Sequence, residues 1–476
     1  MAILSLALCL ASGYLLIATA WPRRKPSPSE RLMELSLAAG FGLGMFSIVF
    51  LVVRPLGLTR LIAVDAALLL LLLVGYAFRR SAAGLPAGRE YEDFHAPPWV
   101  RRIVTASFLI AVIAAVYNGI LRSIAHPHGV GWDAFSIWNL HARFLFLGGE
   151  HWRNGFSALI PWSHPDYPLL LPAAIAHFWS YVGHDDPVVP ALMGLVLTFS
   201  TIALLVSSLA VLRGSTAAML AGLVLSSTPF FVEQGTSQYA DVPLSFFILA
   251  SLVLLNHASG GIPQKQKSPT GSLLLSGLAA GFAAWTKNEG LLFVFAFLLA
   301  QAWVFALPPF RDRSNAQSSR GWTVIAPFLL GAAPVLAMIV WFKLSVATPG
   351  DLFSSSRMML DKVLTPGRYW TILQWFAKEL LRFGNWWVVP GTVAILAFHF
   401  LTRGQPRPRP ESLFWASTIS LGLVFGGYFA IYVVTPRDLY WHLRFSLNRL
   451  FLQLWPTAIF LFFLFTGRQT SPKPHN

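Results

Sequence analysis

The sequence predicts an all-α integral membrane protein with about thirteen transmembrane helices, because long apolar runs dominate it and charges are scarce. Of its 476 residues, 55% are hydrophobic and only 12% are charged, about half the charged share of an ordinary soluble chain. The 35 Lys and Arg outnumber the 20 Asp and Glu, which gives a net charge of +15. In a membrane protein such an excess collects in cytoplasmic loops, so no nucleic-acid partner is expected. These features exclude a soluble enzyme and a disordered chain.

The apolar runs are long enough to cross a bilayer core, which needs about 20 apolar residues per helix. They are residues 2–21, 34–53, 61–78, 103–123, 187–212, 216–232, 240–257, 271–286, 290–308, 323–347, 386–402, 413–434 and 447–466. The first run has its positive charges, Arg23, Arg24 and Lys25, behind it, whereas a signal peptide carries them in front. We therefore expect a retained anchor, an outside N-terminus and a cytoplasmic tail over 467–476.

With this orientation the predicted inner segments hold more than half of the 35 Lys and Arg residues, as the positive-inside rule requires. Two outer segments, 122–186 and 343–385, are far longer than the other connections. Long loops in a compact fold are usually functional, so we expect the chemistry on the outer face. Within the first segment, residues 168–183 are predicted to form an amphipathic helix in the membrane interface; the alternative is a further span.

The first long outer segment contains an acidic residue in aromatic surroundings. Asp133 opens DAFSIWNLHARF, whose apolar residues recur at amphipathic helical spacing. Asp is a preferred N-cap residue, so capping is one interpretation, and a general base held at the membrane surface is the other. The neighbouring Trp132 and Trp138 add further aromatic side chains to this stretch.

A proline-bracketed turn, HPDYP, follows in the same segment. Its His164, Asp166 and Tyr167 are candidates for a second acid or for positioning a substrate, and a purely structural turn is the alternative. This segment is rich in histidine, but the spacings do not place two imidazoles on one helix face, and the only cysteine, Cys9, lies in an apolar run. We therefore expect no dedicated metal site and no certain cofactor, with a divalent cation optional.

Further ionisable residues lie at the outer ends of later spans. Asp241 begins the 240–257 span, and Lys287 and Glu289 lie in TKNEG between two short apolar runs. This pattern suggests a hairpin tip below the outer surface, and intramembrane charges are costly and usually functional. A solvated Asp241 and a structural Lys287–Glu289 pair are the alternatives. Asp65, near the outer end of its span, is expected at the interface.

The last outer segment, RDLYWHLRFSLNRLF, contains His442, Arg444 and Arg449. Arginine binds phosphate through two parallel hydrogen bonds and keeps its charge when desolvated. These cations either hold lipid headgroups without specificity or bind one particular phosphate. Together with Lys287 they are the candidate phosphate site for a lipid-linked donor, and His442 is a further candidate for positioning a substrate.

In the order of these motifs the chain resembles the GT-C membrane glycosyltransferases, which use polyprenyl-phosphate sugars. This group includes the protein O-mannosyltransferases, the lipid A aminoarabinose transferases and the rhizobial lipopolysaccharide sugar transferases. The resemblance rests on WNLHARF after Asp133, then HPDYPLLLP, QYADVPL, WTKNEGLL and an Arg-bearing segment before Pro456. It covers residues 103–466, which leaves 1–102 as an N-terminal extension of three spans.

By this resemblance Asp133 matches the catalytic Asp of the first loop, Lys287 a Lys of the donor-phosphate region, and Arg449 a late Arg that meets the lipid phosphate. Several relatives carry an Asp–Glu pair in the first loop, whereas Ala follows Asp133 here. Two alternatives stay open: one carboxylate is enough for catalysis, or Asp166 or Asp241 supplies a second one.

The resemblance implies an enzyme of the bacterial inner membrane that transfers a hexosyl or pentosyl group on the extracytoplasmic face with inversion. Its partners would be a polyprenyl-phosphate-linked sugar donor, a glycan, lipid or protein acceptor, and membrane lipid. The sugar would lie on the aromatic faces of Trp132, Trp138 or Tyr167. The alternative is a multi-span transporter or flippase of an anionic or lipid-linked solute. Such a protein would carry charges near the bilayer midplane and broken helices in two matching halves, whereas the polar residues here cluster at one face.

Overall fold

The architecture is known from a computed structural model that describes residues 2–22, 26–57, 60–81, 97–259, 270–307, 321–349, 356–386, 406–407, 412–465 and 468–469. In these ranges the chain is helical almost throughout. The helices are α1 (Ala2–Ala20), α2 (Pro28–Val53), α3 (Leu61–Ser81), α4 (Pro98–Ala125), α5 (Asn139–Leu147), α6 (Leu170–Val182), α7 (Val188–Arg213), α8 (Ser215–Ser226), α9 (Pro229–Thr236), α10 (Asp241–Ser259), α11 (Thr270–Thr286), α12 (Asn288–Ala306), α13 (Trp322–Ser345), α14 (Ser356–Val363), α15 (Pro366–Arg382), α16 (Ser412–Val434) and α17 (Leu439–Phe465).

Short elements complete the described chain. Turns of 3₁₀ helix, three to eight residues long, cover Arg54–Leu56, Gly149–Phe156 and Pro161–Ser163. A π-helical turn covers Ala134–Trp138. Two strands of two residues each, Pro406–Arg407 and Arg468–Gln469, pair in parallel. The predicted span 386–402 and the tail 467–476 lie almost wholly outside the described residues.

Ten helices in the described part of the chain are long and apolar enough to cross a membrane: α1, α2, α3, α4, α7, α10, α12, α13, α16 and α17. The fold class is therefore confirmed. The prediction of thirteen spans counted 216–232 as one straight run, but α8 and α9 meet there at 65°. Pro229 causes the bend, because proline cannot continue the hydrogen-bonded turn before it and Thr228 is held in an extended conformation. The predicted run 271–286 becomes α11, which has 17 residues.

The N-terminal spans pack into the rest of the bundle. Helix α2 contacts α6, α7 and α10, and α1 contacts α11. Gly40 of α2 lies so close to the ring of Phe246 in α10 that a Cβ at that position would collide with it. Small residues allow this close approach in a membrane, where packing rather than the hydrophobic effect drives helix association. The first two spans thus share one interior with the later helices.

Helix α6 differs from the amphipathic interfacial helix that the sequence suggested. Its 13 residues are too few to cross a bilayer core, so it is not a further span. Nearly all of its side chains are nevertheless buried, because α2 and α5 pack against it. It therefore acts as a buried support beneath the first long outer segment.

The second long outer segment contains the amphipathic helix α15. Ile372 and Phe376 are buried on one face, which packs against α16 and α17, while Trp370 on the other face is exposed. Lys362 and Arg368 donate hydrogen bonds to the last carbonyls of α16, those of residues 432, 433 and 435. These carbonyls have no partner within their own helix, so the two cations fasten the outer segment to the end of α16.

Candidate functional site

A cavity of about 1640 Å³ lies where the candidate residues of both halves of the chain meet. Its lining comes from the first outer segment, from the start of α10 and α17, from the end of α13 and from the hairpin between α11 and α12. Because these helix ends line one cavity, they lie on the same side of the bundle. Every candidate residue from the sequence lines the cavity except Trp138.

Asp241 forms the centre of the site. It begins α10, and its side chain is fully buried. Its carboxylate accepts hydrogen bonds from Lys287 Nζ at 2.9 Å, from Arg449 Nε at 2.8 Å and from Gln453 Nε2 at 2.6 Å. A buried carboxylate is tolerated when charges and hydrogen bonds compensate it in this way. The alternative that Asp241 is merely solvated in the headgroup region is wrong.

An alternating chain of five charges extends from Asp241 in both directions. Arg449 Nη2 lies 2.7 Å from Asp133 Oδ2, and Lys287 Nζ lies 2.9 Å from Glu289 Oε1. We call Asp133, Arg449, Asp241, Lys287 and Glu289 the charge chain. Burial lowers the pKa of the Lys287 ammonium, but the carboxylates of Asp241 and Glu289 outweigh it and hold that pKa above its ordinary value. Lys287 therefore stays cationic.

The TKNEG hairpin places two members of the charge chain. Lys287 is extended between α11 and α12, and the N–H of Gly290 donates to its carbonyl at 2.9 Å. A Cβ on residue 290 would collide with the backbone of Ala283, so glycine is what lets the two helices turn this tightly. The predicted Lys287–Glu289 pair exists, but it is one link of a larger network.

Asp133 is free of the capping role that was the alternative to catalysis. Its backbone is helical, with φ −64° and ψ −36°, and its side chain makes no capping hydrogen bond. The π-helical turn Ala134–Trp138 follows directly, and such turns are frequent at functional sites. The Asp133 side chain is 21% exposed and lines the cavity, so an incoming molecule can reach it.

The HPDYP turn contributes stacked rings and a carboxylate. His164 adopts a left-handed conformation, with φ 51°, and its ring stacks on Tyr167 at 4.5 Å. Tyr167 in turn stacks on Trp138 at 5.6 Å. Burial, with the nearby Glu289 as a smaller cause, raises the pKa of Tyr167, so it remains a neutral phenol.

Trp138 does not reach the cavity, which corrects the expectation that it stacks against a sugar. It is 1% exposed and supports Tyr167 from behind. Of the three aromatic side chains proposed to stack against the sugar, the other two, Trp132 and Tyr167, line the cavity. Sequence spacing could not separate the two tryptophans, because the π-helical turn alters which face each residue occupies.

Asp166 is tied to later helices instead of to the charge chain. Asn288 Nδ2 donates to its carboxylate at 2.8 Å, and Lys343 Nζ of α13 lies 3.7 Å from it and donates to Asn288 Oδ1 at 2.9 Å. This second cluster lines the same cavity. Lys343 was missed in the sequence, although a cation near the end of an apolar run was a usable signal.

Arg444 and His442 line the cavity at the start of α17. The Arg444 side chain is exposed, and within the described ranges no carboxylate lies at ion-pair distance from it. His442 Nδ1 lies 2.9 Å from Thr435 Oγ1, so it is connected to the end of α16. The structure thus brings Arg444 to the same cavity as Arg449 but not into the charge chain.

Gln453 is the second residue that sequence reasoning missed. It lies four residues after Arg449, on the same face of α17, and donates to Asp241. The hydroxyl of Tyr428 donates to Gln453 Oε1 at 2.6 Å, which orients the amide so that its N–H₂ faces the carboxylate. The ring of Tyr239 lies 4.6 Å from the Arg449 guanidinium carbon and adds a cation–π contact.

No cluster of three or more His, Cys, Asp or Glu side chains with metal-binding geometry occurs in the part of the chain that the structure describes. The optional divalent cation therefore stays a prediction.

The buried His141 makes the first outer segment sensitive to acid. Burial, and next the nearby His164, lowers the pKa of His141 from its ordinary 6.5 to about 3. The unfolded chain therefore binds an extra proton between these values, so the stabilisation is complete above pH 6.5 and is lost as pH falls towards 3. We expect the free energy of unfolding to fall by up to about 1.4 kcal/mol per pH unit in that window.

Thermal unfolding in detergent, measured from pH 7 to pH 4, tests this. His141→Gln should flatten the pH dependence, and His184→Gln, which alters a mostly exposed imidazole, should not. An unchanged slope in His141→Gln would refute the assignment.

Comparison with known proteins gives a family match for part of the chain that builds this site. Residues 163–341 match the family of dolichyl-phosphate-mannose-protein mannosyltransferases. The match includes the HPDYP turn, Asp241 and the TKNEG hairpin, and it excludes Asp133 and Arg449. No curated protein and no solved structure matches the chain significantly. The family is one of the GT-C type, so the match supports the resemblance drawn from the order of the motifs.

Proposed function

We propose that this GT-C-type membrane glycosyltransferase moves a sugar from a polyprenyl phosphate to an acceptor hydroxyl, with inversion, on the extracytoplasmic face of the bacterial inner membrane. The observation that carries the proposal is the charge chain in a cavity of about 1640 Å³, with the carboxylate of Asp133 reachable from the cavity. The acceptor is a glycan, a lipid or a protein.

Asp133 would act as the general base. Its carboxylate accepts the proton of the acceptor hydroxyl, and the oxygen attacks the anomeric carbon from the face opposite the phosphate. The bond from that carbon to the phosphate oxygen breaks, and the electron pair leaves with the polyprenyl phosphate. One attack from the opposite face inverts the anomeric centre.

The cations would stabilise the leaving group. The donor phosphate carries one negative charge as a diester and gains a second as the bond breaks, so fixed positive charges lower the energy of the transition state. Lys287 and Arg449 are held by Asp241 and need no reorganisation during the reaction. Arg444, which has no carboxylate partner among the described residues, is available to receive the phosphate directly.

Apolar side chains offer a path for the lipid. Leu291 and Leu292 of α12, with Ile431 and Val434 of α16, form part of the cavity wall. Gly427 of α16 meets Leu292 so closely that a Cβ at residue 427 would collide with it. A polyprenyl chain lying along this wall would place its phosphate near the start of α17.

The exposure of the side chains indicates which second carboxylate could contact the acceptor. Asp241 is fully buried and accepts three donors, which supports a positioning role. Asp166 and Glu289 line the cavity with side chains 18% and 14% exposed, so they are the ones that an acceptor can contact. His164 and His442 line it as further positioning candidates.

Trp132 is expected to contribute to sugar binding. Trp132→Ala should raise the KM for donor or acceptor about fivefold with little change in kcat, since aromatic stacking is worth about 1 kcal/mol. Phe135→Ala is the matched control, because Phe135 is 57% exposed against 58% for Trp132 but lies off the cavity. Initial-rate kinetics in nanodiscs would measure both, and equal KM values for the two variants would remove Trp132 from the site.

Lipid mass spectrometry tests the function itself. A strain lacking the protein should accumulate a polyprenyl-phosphate sugar, and the wild-type gene but not Asp133→Asn should clear it. No accumulation, with all surface glycans unchanged, would reject the transferase. Flipping of the lipid in proteoliposomes without any glycosidic product would favour the transporter instead.

A further inference from the structure

A buried cluster of hydrogen-bonded polar side chains outside the cavity connects the N-terminal spans to the first outer segment. Helix α3 is mostly exposed along its length, with Leu70 and Leu71 62% and 69% exposed, yet Asp65 on the same helix is only 1% exposed. An ionisable residue in such a span is costly and needs partners. Asp65 lies near the end of its span, where the sequence placed it, but α6 covers its side chain.

Its partners are two residues of α6. The hydroxyl of Tyr181 donates to Asp65 Oδ2 at 2.6 Å, and His177 Nε2 lies 3.1 Å from the same oxygen and 3.3 Å from Oδ1. His177 Nδ1 has no hydrogen-bond partner among the described residues, so Nε2 carries the proton and donates to the carboxylate. Bonds to a carboxylate are among the stronger hydrogen bonds in proteins.

The two partners form one rigid face of α6. They are four residues apart, one turn along the helix, and their rings stack at 5.6 Å with 21° between the planes. Phe46 of α2 lies against His177 from the other side, at 4.2 Å. Asp65 therefore connects α3 to a surface that α2 and α6 form together.

Helix α6 leads directly into the cavity wall. It begins at Leu170, three residues after Tyr167, and the HPDYP turn before it supplies His164, Asp166 and Tyr167 to the cavity. Helix α6 is a single buried helix of 13 residues, so its far end and this turn belong to one continuous element. The family match begins at residue 163, so Asp65 lies in a part of the chain outside it.

We propose that Asp65, with His177 and Tyr181, is a positioning cluster through which the N-terminal spans hold the HPDYP turn in the cavity wall. The cluster touches no reacting group and acts through α6. Its kinetic consequences rest on the proposed function, whereas its effect on the conformation of the first outer segment does not.

The test uses a spin label next to the turn. Cys9 is the only cysteine and is buried, so a label on Leu159→Cys, at a residue 85% exposed, reports this segment selectively. We expect Tyr181→Phe and Asp65→Leu to increase the mobility of the label and to reduce kcat/KM by on the order of tenfold, since small misplacements of positioning groups are costly. The substrate is the polyprenyl-phosphate sugar that accumulates in the deletion strain.

The controls separate positioning from stability. Asp185→Asn removes a partly exposed carboxylate just beyond α6, paired with Arg143 at 2.9 Å, and should leave mobility and kinetics unchanged. The double variant Asp65→Leu/Tyr181→Phe should be no worse than Asp65→Leu, because both act through one unit. Tyr181→Phe removes only the hydroxyl and keeps the ring packing. It therefore tests the cluster even if Asp65→Leu fails to fold.

The outcomes are distinguishable. Unchanged label mobility and unchanged kcat/KM in folded Asp65→Leu and Tyr181→Phe would overturn the positioning role. A wild-type protein without transferase activity, in which Asp65→Leu still mobilises the label, would reject the proposed function and support the positioning role. A loss of thermal stability with normal mobility and kinetics would show a purely structural cluster and overturn the proposal.

Discussion

Asp133→Asn is expected to reduce sugar transfer by about 10²- to 10⁴-fold, because an amide cannot accept the proton of the acceptor hydroxyl and general-base assistance is typically of this size. Initial rates in nanodiscs with a polyprenyl-phosphate sugar measure the loss. The KM for the donor should change little, since Arg449 keeps its hydrogen bond to Asp241 at 2.8 Å when residue 133 is neutral. The effect should therefore lie in kcat.

The matched control is Asp185→Asn, another carboxylate of the first outer segment that also pairs with an arginine, Arg143. It should transfer at the wild-type rate, because it does not line the cavity. If Asp133→Asn retained full activity while folding normally, Asp133 would not be the base, and Asp166 or Glu289 would become the next carboxylates to replace.

Asp241→Ala should cause the largest loss of stability in the protein, about 3–5 kcal/mol, the usual cost of breaking a buried ion pair by removing one partner. The substitution leaves Lys287 and Gln453 without their central acceptor and leaves Arg449 with Asp133 alone. Thermal and denaturant unfolding in detergent measure the change. Transfer should be lost as well, because both cations lose their positions.

Asp241→Asn serves as the graded comparison, since it keeps the size of the side chain and one acceptor oxygen while it removes the charge. Its loss of stability should lie between those of the wild type and Asp241→Ala. Asp133→Asn, which replaces a partly exposed member of the same charge chain, should change stability far less. Equal stability of Asp241→Ala and the wild type would contradict the compensated buried charge.

The candidate residues could be recognised in the sequence because polar side chains at the ends of apolar runs are exceptional. Asp133, Lys287 and Arg449 all stood out in this way, and the structure brings them to one cavity. Their pairing could not be predicted. The donors to Asp241 lie 46, 208 and 212 residues away from it in the chain, and no local pattern reports contacts over such separations.

Errors arose where tertiary packing decides burial. Trp132 and Trp138 look alike in the sequence, but the π-helical turn after Asp133 leaves one in the cavity and buries the other under Tyr167. Residues 168–183 looked amphipathic, yet α2 covers them from a part of the chain more than a hundred residues earlier.

It follows from the sequence alone that this protein is a bundle of membrane-spanning helices whose candidate site residues lie near the ends of the spans. A bilayer core without water favours helices, and polar residues in or beside an apolar run are therefore conspicuous. Which charges compensate each other, and which helices the N-terminal spans contact, became known only from the packing of the helices. Ion pairing depends on distances of a few ångströms between helices, and those distances follow from packing.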